Sequence, residues 1–197
     1  MIHFEREVCE PDLIEAMLDM FEVVVLSLND DDGYPYSVPV NFGYECSDDG
    51  ITFYIHFMKR GHKVELMRKD PRVTLQLYAW NDFFDHPYKG HKHDYRSVSA
   101  KGNIRIIDLK ENPELFEHSY RLLMSCNGRT PKPLSEHKGI NAMNIGEIFC
   151  PWDKISAKSE FPLRTVEDVP FINVYERPED NTPFDISDII AKRKKQS

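Results

Sequence analysis

The stretch FYIHFMKRGHKVELMRKDPRV, residues 53–73, joins a strand-like aromatic run to a basic turn and then to a basic helical segment. Between residues 59 and 72 it carries six Lys or Arg and two acids, Glu65 and Asp70. The whole chain has 25 Lys and Arg against 33 Asp and Glu. A local excess of positive charge in an acidic protein predicts that an anion docks at this turn.

A phosphate group suits the turn. Gly61 permits a close backbone approach, and a helix that starts just after it offers unpaired N–H groups and the positive end of its dipole. Lys63 and a neighbouring base supply point charges. A solvated basic helix face is the plain alternative, and local spacing alone does not choose between the two.

The strand before the turn favours the ligand. Alternation puts the side chains of residues 51, 53 and 55 on one face, which we expect to be core, and those of residues 52, 54 and 56 on the other. Tyr54 and His56 therefore present polar tips on a face that leads directly into the turn. A ligand made of a ring and a phosphate could lie along this face.

The rest of the chain is predicted to be mostly strands joined by tight turns. We expect strands at residues 23–29, 34–45, 51–56, 72–80, 95–108 and 140–150, and helices at 11–21, 61–70 and 112–126. Pro35 and Pro39 place the second strand at an edge or a bulge, because proline cannot donate to the ladder. This spacing predicts a mainly β (α+β) fold, a small six-stranded β-barrel with flanking helices.

Periodicity ends near residue 159, after which prolines become frequent. We therefore expect a domain over residues 1–158 and, over 159–197, a C-terminal extension that wraps the domain or is partly disordered. The segment 81–94 is rich in aromatic residues and histidines. A mobile lid is favoured there over a metal site, since three ligands would have to converge in space.

Composition excludes several classes of function. A net charge of −8 argues against non-specific nucleic-acid binding. No apolar run approaches the ~18 residues of a membrane span, and the first residues do not form a signal peptide. Four widely separated cysteines without a C-x-x-C pair indicate free thiols. These features predict a cytoplasmic protein.

The order of the motifs resembles the pyridoxamine 5'-phosphate oxidase-like superfamily of FMN-binding split barrels. The segments that carry the resemblance are GYPYSVPVNF (33–42), ITFYIH (51–56), GHKVELMRKDPRV (61–73) and YRSV (95–98). The nearest branch is the nitroimidazole-resistance type, in which a histidine follows the third strand and a G-R-K turn comes next. The resemblance covers about residues 5–158.

The resemblance implies FMN as the cofactor, with its site at the interface of a homodimer. The residues implied in binding FMN are Pro39, Val40, Asn41, Tyr54, Ile55, His56, Gly61, His62, Lys63 and Ser97. Lys63 and His62 correspond to phosphate contacts, and Ser97 to a contact commonly made from the other subunit. His62 stands where the family usually has arginine, so FMN binds more weakly or Lys59, Arg60 or Arg96 substitutes.

The implied activity is an FMN-dependent oxidoreductase that acts on a small organic substrate. His56 is the predicted catalytic residue, placed nearest the reacting face as a hydrogen-bond or proton donor. A true pyridoxine phosphate oxidase is disfavoured, because the chain ends in IIAKRKKQS without the Arg-Leu-His-type segment of those enzymes. Two alternatives remain: a non-catalytic flavin- or haem-binding protein, and an interaction protein with an empty pocket.

Overall fold

The computed structural model describes residues 6–82 and 93–171. Its strands are β1 Glu7–Val8, β2 Val24–Asn29, β3 Pro35–Val40, β4 Phe42–Ser47, β5 Gly50–Met58, β6 Arg72–Asp82, β7 His93–Ile107, β8 Met143–Pro151 and β9 Ile155–Ser159. Its α-helices are α1 Pro11–Leu18, α2 His62–Lys69 and α3 Pro113–Cys126. Short 3₁₀ turns, among them Leu134–Glu136 and Val166–Asp168, lie in the connections.

The strands form one antiparallel sheet in the order β3-β2-β6-β7-β8-β5-β4, with β9 paired to β7 and β1 paired to β9. The end strands β3 and β4 are consecutive in the chain and are separated only by Asn41. The sheet thus curls around a core but stays open between its two ends. This architecture confirms the predicted split barrel with flanking helices.

The strand count of six is wrong, because the described residues hold nine strands. The predicted strand 34–45 is two strands, since the chain leaves the ladder at Asn41 and changes partner from β2 to β5. The strands β1 and β9 are two and five residues long, too short to show a clear alternation in sequence. Each gains its register from the other or from β7.

The edge position predicted for the proline-bearing strand is confirmed. β3 pairs only with β2 within the described residues, and Pro35 lies opposite Asn29 while Pro39 lies opposite Val25. The missing N–H groups of these two prolines are tolerated because one side of β3 has no neighbouring strand in the described part of the chain.

The barrel core is filled by alternate side chains of the strands, as the third predicted strand suggested. Ile51, Phe53 and Ile55 of β5 have no exposed surface. A second, smaller cluster lies outside the barrel beneath α3; it is formed by Tyr54, Ile107, Phe116, Tyr120, Leu123, Ile140 and Ile145. Burial of apolar side chains at about 1.5–3 kcal/mol each is the main stabilisation of both layers.

The chain beyond β9 packs back onto the barrel up to residue 171, and Val169 is 1% exposed. The buried guanidinium of Arg96 donates hydrogen bonds to the carbonyl oxygens of Asp168 and Val169. The lid expected at 81–94 and the extension end, 172–197, lie largely or wholly outside the described residues, so the domain division stays a prediction.

All four cysteines are free. No helix within the described ranges is long and apolar enough to cross a membrane.

Candidate functional site

The barrel is open between β3 and the end of β5. The pairing of β4 with β5 stops at Phe42 and Ile55, so residues 56–58 of β5 pair only with β8. The outer side of β3 has no partner strand among the described residues. We call this region the opening and define it by residues 36–41, 56–58 and 61–63. Among the residues that the structure describes, both sides of the opening lack a partner strand.

Helix α2 begins at the opening and touches both of its sides. The ring of His62 lies edge-on to Tyr36 of β3, with the centroids 5.4 Å apart. The ammonium of Lys63 lies 5.9 Å from the ring centroid of Phe57 in β5. The first N–H groups of the helix have no intrahelical partner. The positive end of α2 therefore faces the space between the two strand edges.

The turn before α2 is fixed by backbone contacts on both sides of its glycine. The N–H of Lys59 donates to the carbonyl oxygen of Ala142 at 3.0 Å. Gly61 has a φ of +123°, which L side chains rarely adopt. Its carbonyl oxygen accepts from the N–H of Val64 at 2.9 Å, and this bond starts the helix.

Lys63 is a half-buried cation without a counterion among the described residues. Burial lowers the pKa of its ammonium, because a charge removed from water is less stable. A half-buried ammonium at the start of a helix is a strong point of attraction for an anion. The role of Lys63 as an anion contact stays a prediction.

His62 turns away from the helix axis toward the β2–β3 turn. Its Nε2 lies 2.6 Å from a carboxylate oxygen of Asp30. This hydrogen bond raises the pKa of His62 and lowers the pKa of Asp30. The histidine at the position where the resemblance implies arginine is thus held toward its charged form, but Asp30 offsets the charge.

Two of the three bases proposed to replace that arginine are engaged elsewhere. The ammonium of Lys59 lies 2.5 Å from a carboxylate oxygen of Asp108. The guanidinium of Arg96 is 2% exposed and paired with Asp94 inside the protein. Arg60 is exposed and has no ion pair with another described residue, so it alone of the three is available.

His56 is the first residue of β5 beyond the end of β4. Its ring projects from the face opposite Ile55 and Phe57, so it points out of the barrel. Partial desolvation lowers the pKa of His56, and the positive charges of Lys63 and Arg129 lower it further. The imidazole is accordingly neutral at pH 7, with one nitrogen donating and the other accepting.

A cavity of about 300 Å³ lies beneath α3, beside His56. Its lining is apolar at the bottom and cationic at the rim: His56, Phe116, Tyr120, Leu123, Met124, Arg129, Thr130, Lys132, His137, Met143 and Ile145. We call it the α3 pocket. The sequence analysis did not find its rim, because residues 127–139 show no periodicity and only the fold brings them over β5. The concentration of Arg129, Lys132 and His137 in a proline-containing loop was the available signal.

Tyr54 and Ile55 contribute no accessible side chain to the opening. Tyr54 is 2% exposed beneath α3, where its hydroxyl donates to Glu45 and burial raises its pKa. The side chain of Ile55 is fully buried in the barrel. Within this chain, only the backbone of these two residues can face a ligand. The polar tip expected of Tyr54 meets α3 and Glu45 instead.

The three residues at the end of β3 lie beside the opening. Pro39 is exposed, Val40 is half-buried, and the side-chain amide of Asn41 donates to the carbonyl oxygen of Glu22 at 3.1 Å. This bond fixes the single residue at which the chain passes from one end of the sheet to the other. The backbone edge at Val40 and Asn41 is thereby held in place.

Ser97 is remote from the opening of its own chain. It lies on β7 opposite Tyr78 of β6 and Lys158 of β9. β2 and β6 separate β7 from β3, which amounts to about 14 Å at the usual strand spacing. On the other side of β7, His56 lies opposite Ile145 of β8, which lies opposite Ile107, ten residues along β7 from Ser97. A single chain therefore does not bring Ser97 together with His56.

Comparisons with known proteins agree with this fold. A 5-nitroimidazole antibiotic resistance protein, so described, from Bacteroides thetaiotaomicron superposes with a TM-score of 0.60 at 19% identity, over 78% of this chain and 86% of its own. An FAD- and haem-binding protein from Mycobacterium smegmatis gives 0.60 at 16% identity, over 94% and 96%. A flavocytochrome from Azotobacter vinelandii gives 0.57 at 16% identity, over 93% and 88%.

The similarity in sequence is at the level of the family. No curated protein matches the chain. The sequence profile of the pyridoxamine 5'-phosphate oxidase family matches residues 10–144, which is more than half of the chain. The match includes α1, β2–β7, α2, α3 and the opening itself. The chain therefore belongs to the pyridoxamine 5'-phosphate oxidase family.

Proposed function

We propose that this protein binds FMN at the opening and acts as an FMN-dependent oxidoreductase on a small organic molecule. The observation that carries the proposal is the position of Lys63. Its half-buried ammonium has no counterion in the described part of the chain and sits where α2 begins, between two unpaired strand edges. A phosphate there would gain both the lysine charge and the helix N–H groups.

The residues of the opening fit this cofactor. Lys63 and the backbone N–H groups at the start of α2 would hold the phosphate, with Arg60 free to add a second charge. The backbone edges at Val40 and Asn41 would flank the ring. FMN supplies the electron- and hydride-transfer chemistry, and the protein supplies binding, orientation and protection from side reactions.

His56 is suited to a hydrogen-bonding part in this site. Its pKa is lowered, so the neutral imidazole can donate from one nitrogen and accept at the other. It borders both the opening and the α3 pocket. A group in this place can orient a ligand or pass it a proton without carrying a fixed charge.

The predicted homodimer would explain how Ser97 could contact the flavin. Because Ser97 is three strands from β3 in its own chain, its flavin contact would have to come from a second copy. Tyr78, directly opposite Ser97, is 63% exposed, and Trp80 on the same side of β6 is 58% exposed. Exposed aromatic side chains are enriched where proteins meet partners, which supports this face as the contact.

The experiment that tests FMN binding is the visible absorption spectrum after addition of FMN and removal of the excess. We expect a retained flavin spectrum, and we expect Lys63→Ala to weaken retention at least about tenfold, since a charge-assisted contact is lost. Lys69→Ala is the matched control at the other end of α2, where the side chain pairs with Asp31. Equal loss in both variants, or no retention by the unaltered protein, contradicts the proposal.

A second candidate is a non-catalytic flavin- or haem-binding protein. It is favoured by the similarity to the FAD- and haem-binding protein from Mycobacterium smegmatis, which extends over 94% of this chain. Haem would give an intense Soret absorption that FMN does not give. Titration with haem, FAD and FMN in parallel separates this candidate from the first.

A further inference from the structure

The α3 pocket is created by the close approach of α3 to the sheet. A Cβ atom on Gly43 of β4 would lie 2.8 Å from the backbone nitrogen of Leu123, so only glycine allows this contact. The chain then turns at Gly128, with a φ of +65°, and runs back over β5. The enclosed volume of about 300 Å³ is at the lower end of ligand sites in proteins.

The bottom of the pocket is apolar and aromatic. Phe116 is fully buried, and Tyr120 and Leu123 are 5% and 1% exposed. They close the bottom of the pocket, and its accessible apolar surface comes mainly from the half-buried side chains of Met124 and Met143. Thioether side chains make favourable contacts with aromatic rings and offer few partners for hydroxyl groups. A sugar or a bare inorganic ion would leave this surface unused or lose hydrogen bonds to water.

The rim has the opposite character. Arg129, Lys132, His56 and His137 surround the mouth, and none of the described lining residues is acidic. Arg129 and Lys132 have no ion pair with any described residue, in a chain whose net charge is −8. A guanidinium, an ammonium and two imidazoles around one apolar cavity are arranged for an anionic group at the end of an apolar body.

One rim residue has its geometry fixed by its neighbours. The Nδ1 atom of His137 lies 3.1 Å from the carbonyl oxygen of Lys138, to which it donates, and the ring stands edge-on to Tyr120. This hydrogen bond leaves Nε2 as the atom that is open to a ligand. The backbone N–H of Arg129 donates to the carbonyl oxygen of Met124 at 2.9 Å, which anchors the start of the rim to α3.

We propose that the α3 pocket binds the organic substrate and that this substrate is a small aromatic carboxylate. The ring lies against Met124 and Met143, and the carboxylate is held at the rim by Arg129 and Lys132. The proposal rests on the proposed function in one respect, that His56 joins this pocket to the FMN site. Binding of the carboxylate itself does not require FMN.

The test uses benzoate as the probe, benzamide as its neutral isostere and inorganic phosphate as a bare anion. Affinities are measured by calorimetry and by chemical-shift changes of the full-length protein, with and without FMN. We expect benzoate to bind at least about tenfold more tightly than benzamide, because the charge-assisted contacts are lost in the amide. Phosphate should not displace benzoate at comparable concentration.

The variant Arg129→Gln should weaken benzoate binding about tenfold and leave benzamide binding unchanged. Arg129 is exposed, so the substitution is compatible with folding. Arg121→Gln is the matched control, since Arg121 pairs with Glu117 on the outer face of α3. Equal affinity for benzoate and benzamide, displacement by phosphate, or the same effect from Arg121→Gln overturns the proposal.

Retention of FMN, read from absorbance in the same samples, separates the two proposals. Benzoate binding without FMN retention upholds the carboxylate site and removes the flavin function. FMN retention without benzoate binding overturns the carboxylate site alone.

Discussion

At the scale of single residues, His62 stands at a position where the family resemblance implies arginine. Its ring bonds Asp30 at 2.6 Å, which raises the pKa of His62 above 6.5 and lowers that of Asp30 below 3.8. The contribution of His62 to the free energy of unfolding is fully present below pH 6.5 and is lost as the pH rises through the raised pKa. The contribution of Asp30 to the free energy of unfolding is present above pH 3.8 and is lost as the pH falls through the lowered pKa. The pair therefore stabilises the fold most between about pH 4 and 6.5.

The prediction that follows concerns Asp30→Asn. We expect the pKa of His62 to fall toward its ordinary value, because the acceptor loses its charge. Titration of the histidine ring protons by NMR measures this shift. Asp32→Asn, in the same turn, is the control and should leave His62 unchanged. An unaltered pKa of His62 in Asp30→Asn would show that the two side chains are not paired in solution.

The FMN site was predicted from residues close together in sequence. Such a prediction can place residues of one turn or helix, but it cannot place side chains that are buried by distant segments. Gly61 and Lys63 lie where a turn and a helix start bring them, because local geometry fixes both. The side chain of Tyr54 could not be placed correctly, since the layer that buries it comes from α3, more than fifty residues later. The rim of the α3 pocket was missed for the same reason, because only the fold brings residues 127–139 over β5.

At the scale of elements, β7 holds the segment that follows β9. Arg96 and Asp94 form a buried pair, and Arg96 also donates to the carbonyl oxygens of Asp168 and Val169. The guanidinium carbon lies 5.3 Å from the ring centroid of Phe171. One side chain thus joins a central strand to the chain that wraps over it.

We expect Arg96→Met to lower the free energy of unfolding by about 3–5 kcal/mol, because Asp94 is left buried without a partner. Arg121→Met is the control; it breaks an exposed pair and should cost less than about 1 kcal/mol. Denaturant unfolding measures both. The double variant Asp94→Leu with Arg96→Met should recover part of the loss, and a small effect of Arg96→Met alone would contradict this account.

Most of the longer elements could be predicted, and the errors have physical causes. The hairpin of β2 and β3 was evident from a β-branched run, an acidic turn with glycine and a second alternating run. β1 and β9 were missed because their pairing partners, not their composition, make them strands. Asn41 divides one predicted strand into two because the chain changes its partner strand there from β2 to β5. The propensities of the local residues do not reveal such a change.

At the scale of the whole molecule, the proposed homodimer places a second copy against β6 and β7. We expect Tyr78→Arg to give a monomer by light scattering and to release FMN, because a buried arginine without a partner opposes the contact. Tyr34→Arg is the matched control, since Tyr34 is 76% exposed in the turn between β2 and β3. If the Tyr78→Arg protein stays dimeric, the dimer interface lies on another face of the protein.

The open edge of β3 has a further consequence for solubility. A strand with free N–H and C=O groups is a template on which another chain can add, and proteins that keep such an edge must guard it. Pro35 and Pro39 remove two donors from this strand, so a foreign strand finds an incomplete ladder there. The two prolines in β3 thus also protect the protein from edge-to-edge aggregation, and they leave the gap available to a small molecule.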